Sequence, residues 1–197
     1  MNGTSIAVIG AGFSGTLLSL HLLRRCPPST SVLLIERNSQ FGRGQAYSTG
    51  NPNHLLNVPA AKMSAFGDRP LDFLSWLRTQ AELGDGKPPS GACFVSRHLF
   101  GSYVRHLLNE ELQGGRERLQ LIRADVQALE PAGSGLRLLG RTQFLSAHRH
   151  ETGAQPFANR LCHLGHTHGA IDIGRRAHLI GPAQAFLPAL VDELLRC

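Results

Sequence analysis

The sequence predicts an α/β fold built on a parallel sheet, and three observations predict it. Apolar, β-prone Ile6-Ala7-Val8-Ile9 runs straight into Gly10-Ala11-Gly12-Phe13-Ser14-Gly15, a G-x-G-x-x-G stretch. An apolar helical run follows. A second strand-like run, Ser31-Val32-Leu33-Leu34-Ile35-Glu36, ends in a carboxylate 21 residues after Gly15. A lone glycine motif occurs by chance. A strand before it, a helix after it and an acid about 20 residues on make it a dinucleotide-binding fingerprint.

Each glycine has a physical task in that reading. Gly10 lets the chain turn sharply out of the strand. Gly12, with no side chain, lets backbone approach a pyrophosphate, and Gly15 lets the helix pack against the strand. The helix then aims its free N–H groups and the positive end of its dipole at phosphate. The alternative is a glycine-rich turn with no ligand. Strand Ser5–Ile9, helix Ser14–Arg25 and strand Ser31–Glu36 form a β-α-β unit with a right-handed crossover. Leu17, Leu18, Leu20, Leu22 and Leu23 make the helix dense enough to lie on a sheet. Pro27-Pro28 ends it, because proline cannot continue a helix and disfavours helix just before itself.

Glu36 falls at the carboxyl end of the second strand, beside the pocket opened by the glycines. There a carboxylate accepts from both ribose hydroxyls of an adenosine and repels a 2′-phosphate, which selects FAD or NAD over NADP. A solvated strand end is the plainer reading. Arg37 can pair with this carboxylate, stack on adenine as a planar cation, or simply be exposed.

Residues 38–67 depart from a plain nicotinamide-binding domain, which would proceed quickly to a further helix and strand. Glycine, proline and asparagine punctuate Gln40 to Pro59, with neither helical nor strand period. Such a long irregular stretch in a compact domain is functional or disordered. Embedded Phe41, Tyr47, Leu55, Leu56 and Val58 argue for order, and the segment can wrap a large flat cofactor.

A helix is expected over 68–83, with Asp68 as cap, Pro70 in the first turn and Leu71, Phe73, Leu74, Trp76 and Leu77 as its apolar face. Trp76 reads as core rather than as a stacking platform. Residues 84–91 are loop by composition. Ser96 caps a helix from Arg97 to about Leu112, with Leu99, Tyr103, His106 and Leu107 on one face and Phe100 and Val104 beside them. Arg97 in the first turn is either a surface arginine or the neighbour of an anion. His98 and His106 read as packed or exposed rather than as proton carriers. A strand spans Leu119–Glu130 and Pro131 closes it.

These stretches together carry a resemblance. The segments IAVIGAGFSGTLLSLHLLRR, LLIERN, FGRGQAYST, HLLNVPAAKMSAFGDRPLDFLSWL and FVSRHLFGSYVRHLL, in this order, resemble bacterial FAD/NAD(P)-binding flavoproteins. Those proteins are related to flavin-dependent N-hydroxylating and urate-hydroxylating monooxygenases. The resemblance covers roughly residues 4–131. It implies a Rossmann-like FAD-binding domain with a parallel sheet and inserted helices, here incomplete. By that resemblance Gly10, Gly12, Phe13, Ser14 and Gly15 cradle the pyrophosphate and Glu36 holds the ribose. Arg43, Gln45 and Asn57 run past the pyrophosphate and ring system, and the backbone of Val126 reads the adenine edge. The implied cofactor is FAD, with NADPH or NADH as co-substrate and a small nitrogen-containing molecule as the target of O₂-dependent hydroxylation. No catalytic acid–base pair stands out, which fits chemistry carried by the cofactor.

The pattern breaks after Gly133-Ser134-Gly135. Residues 1–135 read as the FAD/NAD(P)-binding domain and 136–197 as a divergent, histidine-rich tail, either poorly ordered or a shortened completion of the same domain. Leu136-Arg137-Leu138-Leu139 begins a strand, but six of the ten histidines lie beyond Arg141 and no second G-x-G-x-x-G appears. Phe186 to Leu195 suggests a short helix. The tail is either genuine or the product of a shifted reading frame near residue 140. In the second case the chain is a non-catalytic FAD/NAD-binding fragment of a truncated gene. Cys162, His163, His166 and His168 have zinc-ligand chemistry but not the spacing of known structural fingers, so no metal site is expected.

Composition narrows the function classes. Apolar residues make up 42% of 197, which supports a packed core. The formal charge of +6 is scattered, with no basic run longer than a pair, so solubility and phosphate-facing arginines explain it better than nucleic-acid binding does. No stretch reaches the roughly 18–20 apolar residues of a membrane span, and no basic leader precedes the first strand. Four cysteines without C-x-x-C spacing fit a reducing cytoplasm. The expected partners are therefore a dinucleotide and a small-molecule substrate, with no nucleic acid and no membrane.

Overall fold

The computed structural model describes residues 4–82, 88–114, 117–132, 135–143, 166–173 and 177–180. β1 (Ser5–Ile9) leads into α1 (Phe13–Arg25) and β2 (Ser31–Glu36). A long connection carries the one-turn helix α2 (Gly44–Tyr47) and a 3-10 turn at Ala60–Lys62. Helices α3 (Asp72–Glu82) and α4 (Arg97–Gln113) follow. β3 (Leu119–Ala132), β4 (Gly135–Gln143), β5 (His166–Ile173) and β6 (Ala177–Ile180) come last.

All six strands form one sheet in the order β5-β4-β3-β2-β1-β6. The half containing β6, β1, β2 and β3 is parallel, while β4 and β5 add an antiparallel meander to it. Alternation along each strand divides the core. Ile6, Val8, Val32, Leu34 and Leu119 face Leu18 and Leu22 of α1 and Leu108 of α4. Ala7, Leu33 and Ile35 point the other way, with Ala124 and Leu138. β5 touches β1 although the two are not neighbours in the sheet, so the meander curls back toward β1, and its Leu138 packs on this second face. With both faces covered, β1 is apolar throughout residues 6–9 and β2 throughout residues 32–35 rather than at alternate positions. A third layer lies outside α1. Its Leu17 and Leu20 pack on Phe66, on Phe73 and Leu77 of α3, and on Phe100, Tyr103, Val104 and Leu107 of α4.

Three expectations need correction. The helix expected over 68–83 begins at Asp72, not at Asp68. Proline at 70 disfavours helix at Arg69, and two successive turns, Arg69 N to Phe66 O and Asp72 N to Arg69 O, take up the intervening residues. Asp72 then occupies the first turn and pairs with Arg69 at 3.1 Å. The buried face of α4 is also turned from the expected one. Tyr103 and Leu107 of the expected face are buried and Phe100 and Val104 beside it are fully buried, whereas Leu99 is 37% exposed and His106 is exposed, pairing with Glu110. The helix is squeezed between α1 and α2, which reach positions 100, 101 and 104 rather than 99 and 106. Finally, β3 continues through Pro131 to Ala132, since its partner there is a single antiparallel strand.

Ser96 caps α4 as expected, accepting from Leu99 N. Trp76 packs within the aromatic layer, nearly parallel to Phe73. The expected change of character near residue 141 falls on β4, whose pairing with β3 runs unbroken from Gly140 to Gln143. The suggested helix at Phe186–Leu195, and Cys162 and His163, lie outside the described residues. No helix among the described residues is long and apolar enough to cross a membrane, and none of their His, Cys, Asp and Glu side chains form a metal-binding group.

Candidate functional site

The site forms where β1 and β2 end and α1 begins. Gly10 has φ +96°, which lets the chain turn from β1 toward α1 while its N–H donates to Ile35 O at 2.7 Å. Gly12 is the N-cap of α1 and brings no side-chain cap. The first intrahelical bond runs from Thr16 N to Gly12 O, so the N–H groups of Phe13, Ser14 and Gly15 open the helix without an intrahelical partner. Gly15 is fixed by contact: a Cβ there would overlap the carbonyl oxygen of Gly10. The three glycines thus make an uncapped helix N-terminus that is bare of side chains, the arrangement that receives an anion.

Glu36 is tied to this loop. One carboxylate oxygen accepts from Ala11 N at 2.9 Å and the other from Asn38 N at 3.0 Å. It is half-buried, not a freely solvated strand end. Each oxygen retains a lone pair, so the carboxylate can still accept from a ribose hydroxyl. Arg37 next to it is exposed. On the neighbouring strand, Glu36 pairs in register with Arg123, and Val126 lies three residues further on, beyond the carboxyl end of β2. Between Val126 and Ala128 the β3–β4 register shifts, so Val126 stands at an irregularity where the strand turns into the meander.

The FGRG segment closes the other side. Gly42 N donates to Ala11 O at 2.9 Å, and Gly44 lies so close that a Cβ on it would sit 2.8 Å from Gly12 Cα and 3.3 Å from Phe13 N. Both residues have positive φ, +86° and +60°. A side chain at Gly44 would press on the helix terminus that the bare glycines leave open, whereas one at Gly42 would collide with Arg105 of α4. α4 buttresses the segment from behind. At Gly101 a Cβ would come within 2.7 Å of Tyr47 O, and Arg105 runs against Gly42. Phe13 turns its ring into a cluster with Tyr47 and Phe100, at centroid distances of 5.3 and 5.5 Å, so only its backbone faces the opening.

Arg43 sits between the two clamped glycines. Its Nη2 reaches Ser102 Oγ at 3.5 Å, and its Nε is buried with no hydrogen-bond partner. Burial, and then the neighbouring Arg105, push its pKa below the usual arginine range. Of the other residues singled out in the sequence, Gln45 is exposed in α2 and Asn57 is exposed on the segment that pairs with Val95 through Leu56 N. The structure therefore brings Gly10, Gly12, Phe13, Ser14, Gly15, Glu36 and Arg43 into one constellation. Gln45 lies at its edge, Val126 on the adjoining strand and Asn57 further along the connection. Sequence reasoning missed Gly101 and Arg105. Gly101 had a signal, since glycine inside an apolar helical pattern often marks close backbone approach. Arg105 had none.

The residues fit a dinucleotide. The cradle that a Cβ would fill, the open helix terminus and the partnerless guanidinium nitrogen all suit a pyrophosphate, and Glu36 suits the adjoining ribose. A family model described as FAD-NAD(P)-binding matches residues 7–150. No curated protein matches the chain. Among solved structures, the reduced form of an ornithine hydroxylase from Pseudomonas aeruginosa is similar at 18% identity and TM-score 0.49, over 72% of this chain and 35% of that one. A flavin monooxygenase from Stenotrophomonas maltophilia is similar at 19% identity and TM-score 0.45, over 71% and 34%. A polycyclic ketone monooxygenase from Thermothelomyces thermophila is similar at 13% identity and TM-score 0.45, over 91% and 23%. The chain spans at most 35% of the length of these three proteins.

Proposed function

The chain belongs to the FAD-NAD(P)-binding family, and from that premise we propose that it is an FAD-dependent oxidoreductase of the monooxygenase-like kind, using NADPH or NADH and acting on a small nitrogen-containing molecule. The observation that carries the cofactor assignment is the open N-terminus of α1, flanked by Glu36 and by the FGRG segment folded onto it. When bound, FAD supplies hydride acceptance and O₂ activation. The chain's own residues have simpler tasks. The N–H groups of Phe13, Ser14 and Gly15 and the α1 dipole hold the pyrophosphate. Glu36 fixes the ribose and, by charge, turns away a 2′-phosphate at this position. Arg43 neutralises phosphate from the α4 side, Gln45 and Asn57 border the path toward the ring system, and the backbone at Val126 meets the adenine.

A second reading is a module that holds FAD or NAD without turnover. The open cradle at the α1 N-terminus supports it equally, since holding a dinucleotide asks for nothing beyond it. Purified protein separates the two. Flavin uptake followed by NADPH or NADH oxidation in air supports the oxidoreductase. Uptake without oxidation leaves the binding module, and a folded protein that takes up no FAD removes both.

A further inference from the structure

Arg43 and Arg105 come from segments 62 positions apart in the chain, yet they meet behind the phosphate-binding turn. The meeting is enforced by backbone. Gly42 is stitched to Ala11, and the Arg105 stem packs on the bare Cα of Gly42, where a Cβ would come within 2.8 Å of Arg105 Cγ. On the same side of α4, Arg43 Cγ would lie 3.5 Å from a Cβ on Gly101, and Arg43 Nη2 touches Ser102 Oγ. The stems of Arg43 and Arg105 thus lie against the same side of α4, near enough for the one charge to act on the other, and Arg43 has a buried Nε without a hydrogen-bond partner. A part-buried guanidinium beside a like charge gains from an anion placed within its reach. The loss in basicity of Arg43 has this origin, burial first and Arg105 second.

We propose that Arg105 acts with Arg43 as a two-guanidinium clamp on the pyrophosphate of the bound dinucleotide, gripping it from the α4 side while the α1 N-terminus holds it from the other. The inference rests on the dinucleotide reading above and adds a residue from outside the glycine fingerprint. It makes α4 more than a buttress: it carries charge to the phosphates. Arginine suits this position because its planar fork donates two parallel hydrogen bonds to phosphate oxygens.

The test compares ADP, FAD and adenosine as probes of the whole chain. The wild-type protein is expected to bind ADP and FAD with affinities that fall as salt rises. Arg105→Gln is expected to weaken both about tenfold at low salt, with a flatter salt dependence and unchanged binding of adenosine. Equal ADP binding by wild type and R105Q overturns the clamp and leaves the dinucleotide reading standing. Equal loss of ADP and adenosine also overturns it, because the defect is then structural. Wild-type protein that binds neither ADP nor FAD removes the dinucleotide reading and the clamp with it. A second measurement needs no variant: phenylglyoxal modification read by peptide mass spectrometry. ADP, but not adenosine, is expected to protect Arg43 and Arg105. Unchanged modification of Arg105 under saturating ADP contradicts the clamp even if R105Q does not fold.

Discussion

A methyl group at Gly15 would overlap Gly10 O, and one at Gly101 would press on Tyr47 O. The two positions fail differently. Gly15→Ala strains the first turn of α1 against the β1 exit, so both stability and nucleotide binding should fall, the former by about 1–3 kcal/mol. Gly101→Ala pushes α2 and the FGRG segment outward, so FAD affinity should fall more steeply than thermal stability does. Chemical denaturation and FAD titration on the same samples check both. Glu36→Ala removes the acceptor of Ala11 N and the proposed ribose ligand together, and FAD binding is expected to weaken roughly tenfold to a hundredfold. His21 offers a prediction in pH. Its Nε2 contacts Ala65 O at 3.0 Å, and burial lowers its pKa from 6.5. The unfolded chain therefore binds this proton more tightly than the folded one. Stability from neutral His21 is full above pH 6.5 and is lost as pH falls below it. His21→Gln, which keeps a donor but cannot titrate, should flatten the fall in melting temperature between about pH 7 and 5. Outside the fingerprint, Gly101 alone among these residues left a trace in the sequence, as a glycine inside an apolar helical pattern, and its partner was not legible. Gly15 has a motif to announce it, while His21 and Gly101 depend on which chain segment lands opposite them.

α1 illustrates both sides of legibility at the scale of elements. Its start and stop are written in Gly12 and in Pro27-Pro28, and the structure places them there. What holds its far end comes from 92 positions away: Arg118 Nη2 donates to Cys26 O at 3.2 Å and to Pro27 O at 3.0 Å, its Nη1 to Leu23 O at 3.1 Å and its Nε to Thr30 O at 2.8 Å. Leu23 and the cap residue Cys26 supply carbonyls of the kind a helix C-terminus leaves without partners, while Pro27 and Thr30 belong to the connection that leads into β2. Arg118→Ala should destabilise the fold by about 2 kcal/mol, measured by equilibrium denaturation, while Arg118→Lys recovers only part because an ammonium cannot span four acceptors in a plane. Arg118 sits in a short polar stretch before β3, with no local pattern to mark it. α3 shows the opposite fault. Its composition suggested a start at Asp68, but Pro70 acts on the residue before it, and Asp72 is the acid that enters the first turn. Asp72 has a further task, accepting from Tyr103 Oη at 2.6 Å. Burial and this carboxylate raise the Tyr103 hydroxyl well above the usual tyrosine range, so it stays protonated and donates.

At the scale of the molecule, the start of the parallel sheet and the glycine turn follow from local pattern, because strand, glycines, helix and acid stand within the first 36 residues. The antiparallel half follows only in outline. Leu136 to Leu139 reads as a strand, but pairing of β4 with β5, the return of β5 to β1 and the placing of β6 beside β1 are long-range events that composition does not encode. They matter to the site because the meander covers Ala7, Leu33 and Ile35 and so holds β1 and β2 in the positions from which Gly10 and Glu36 project. The central claim is that this constellation binds FAD. Titration of the purified chain with FAD, followed by flavin fluorescence and the visible spectrum alongside circular dichroism of the same sample, tests it most directly. The expected result is stoichiometric uptake with perturbed flavin bands, competed by ADP and lost in Gly15→Ala. A chain that shows folded α/β dichroism yet leaves FAD free in solution would contradict the claim.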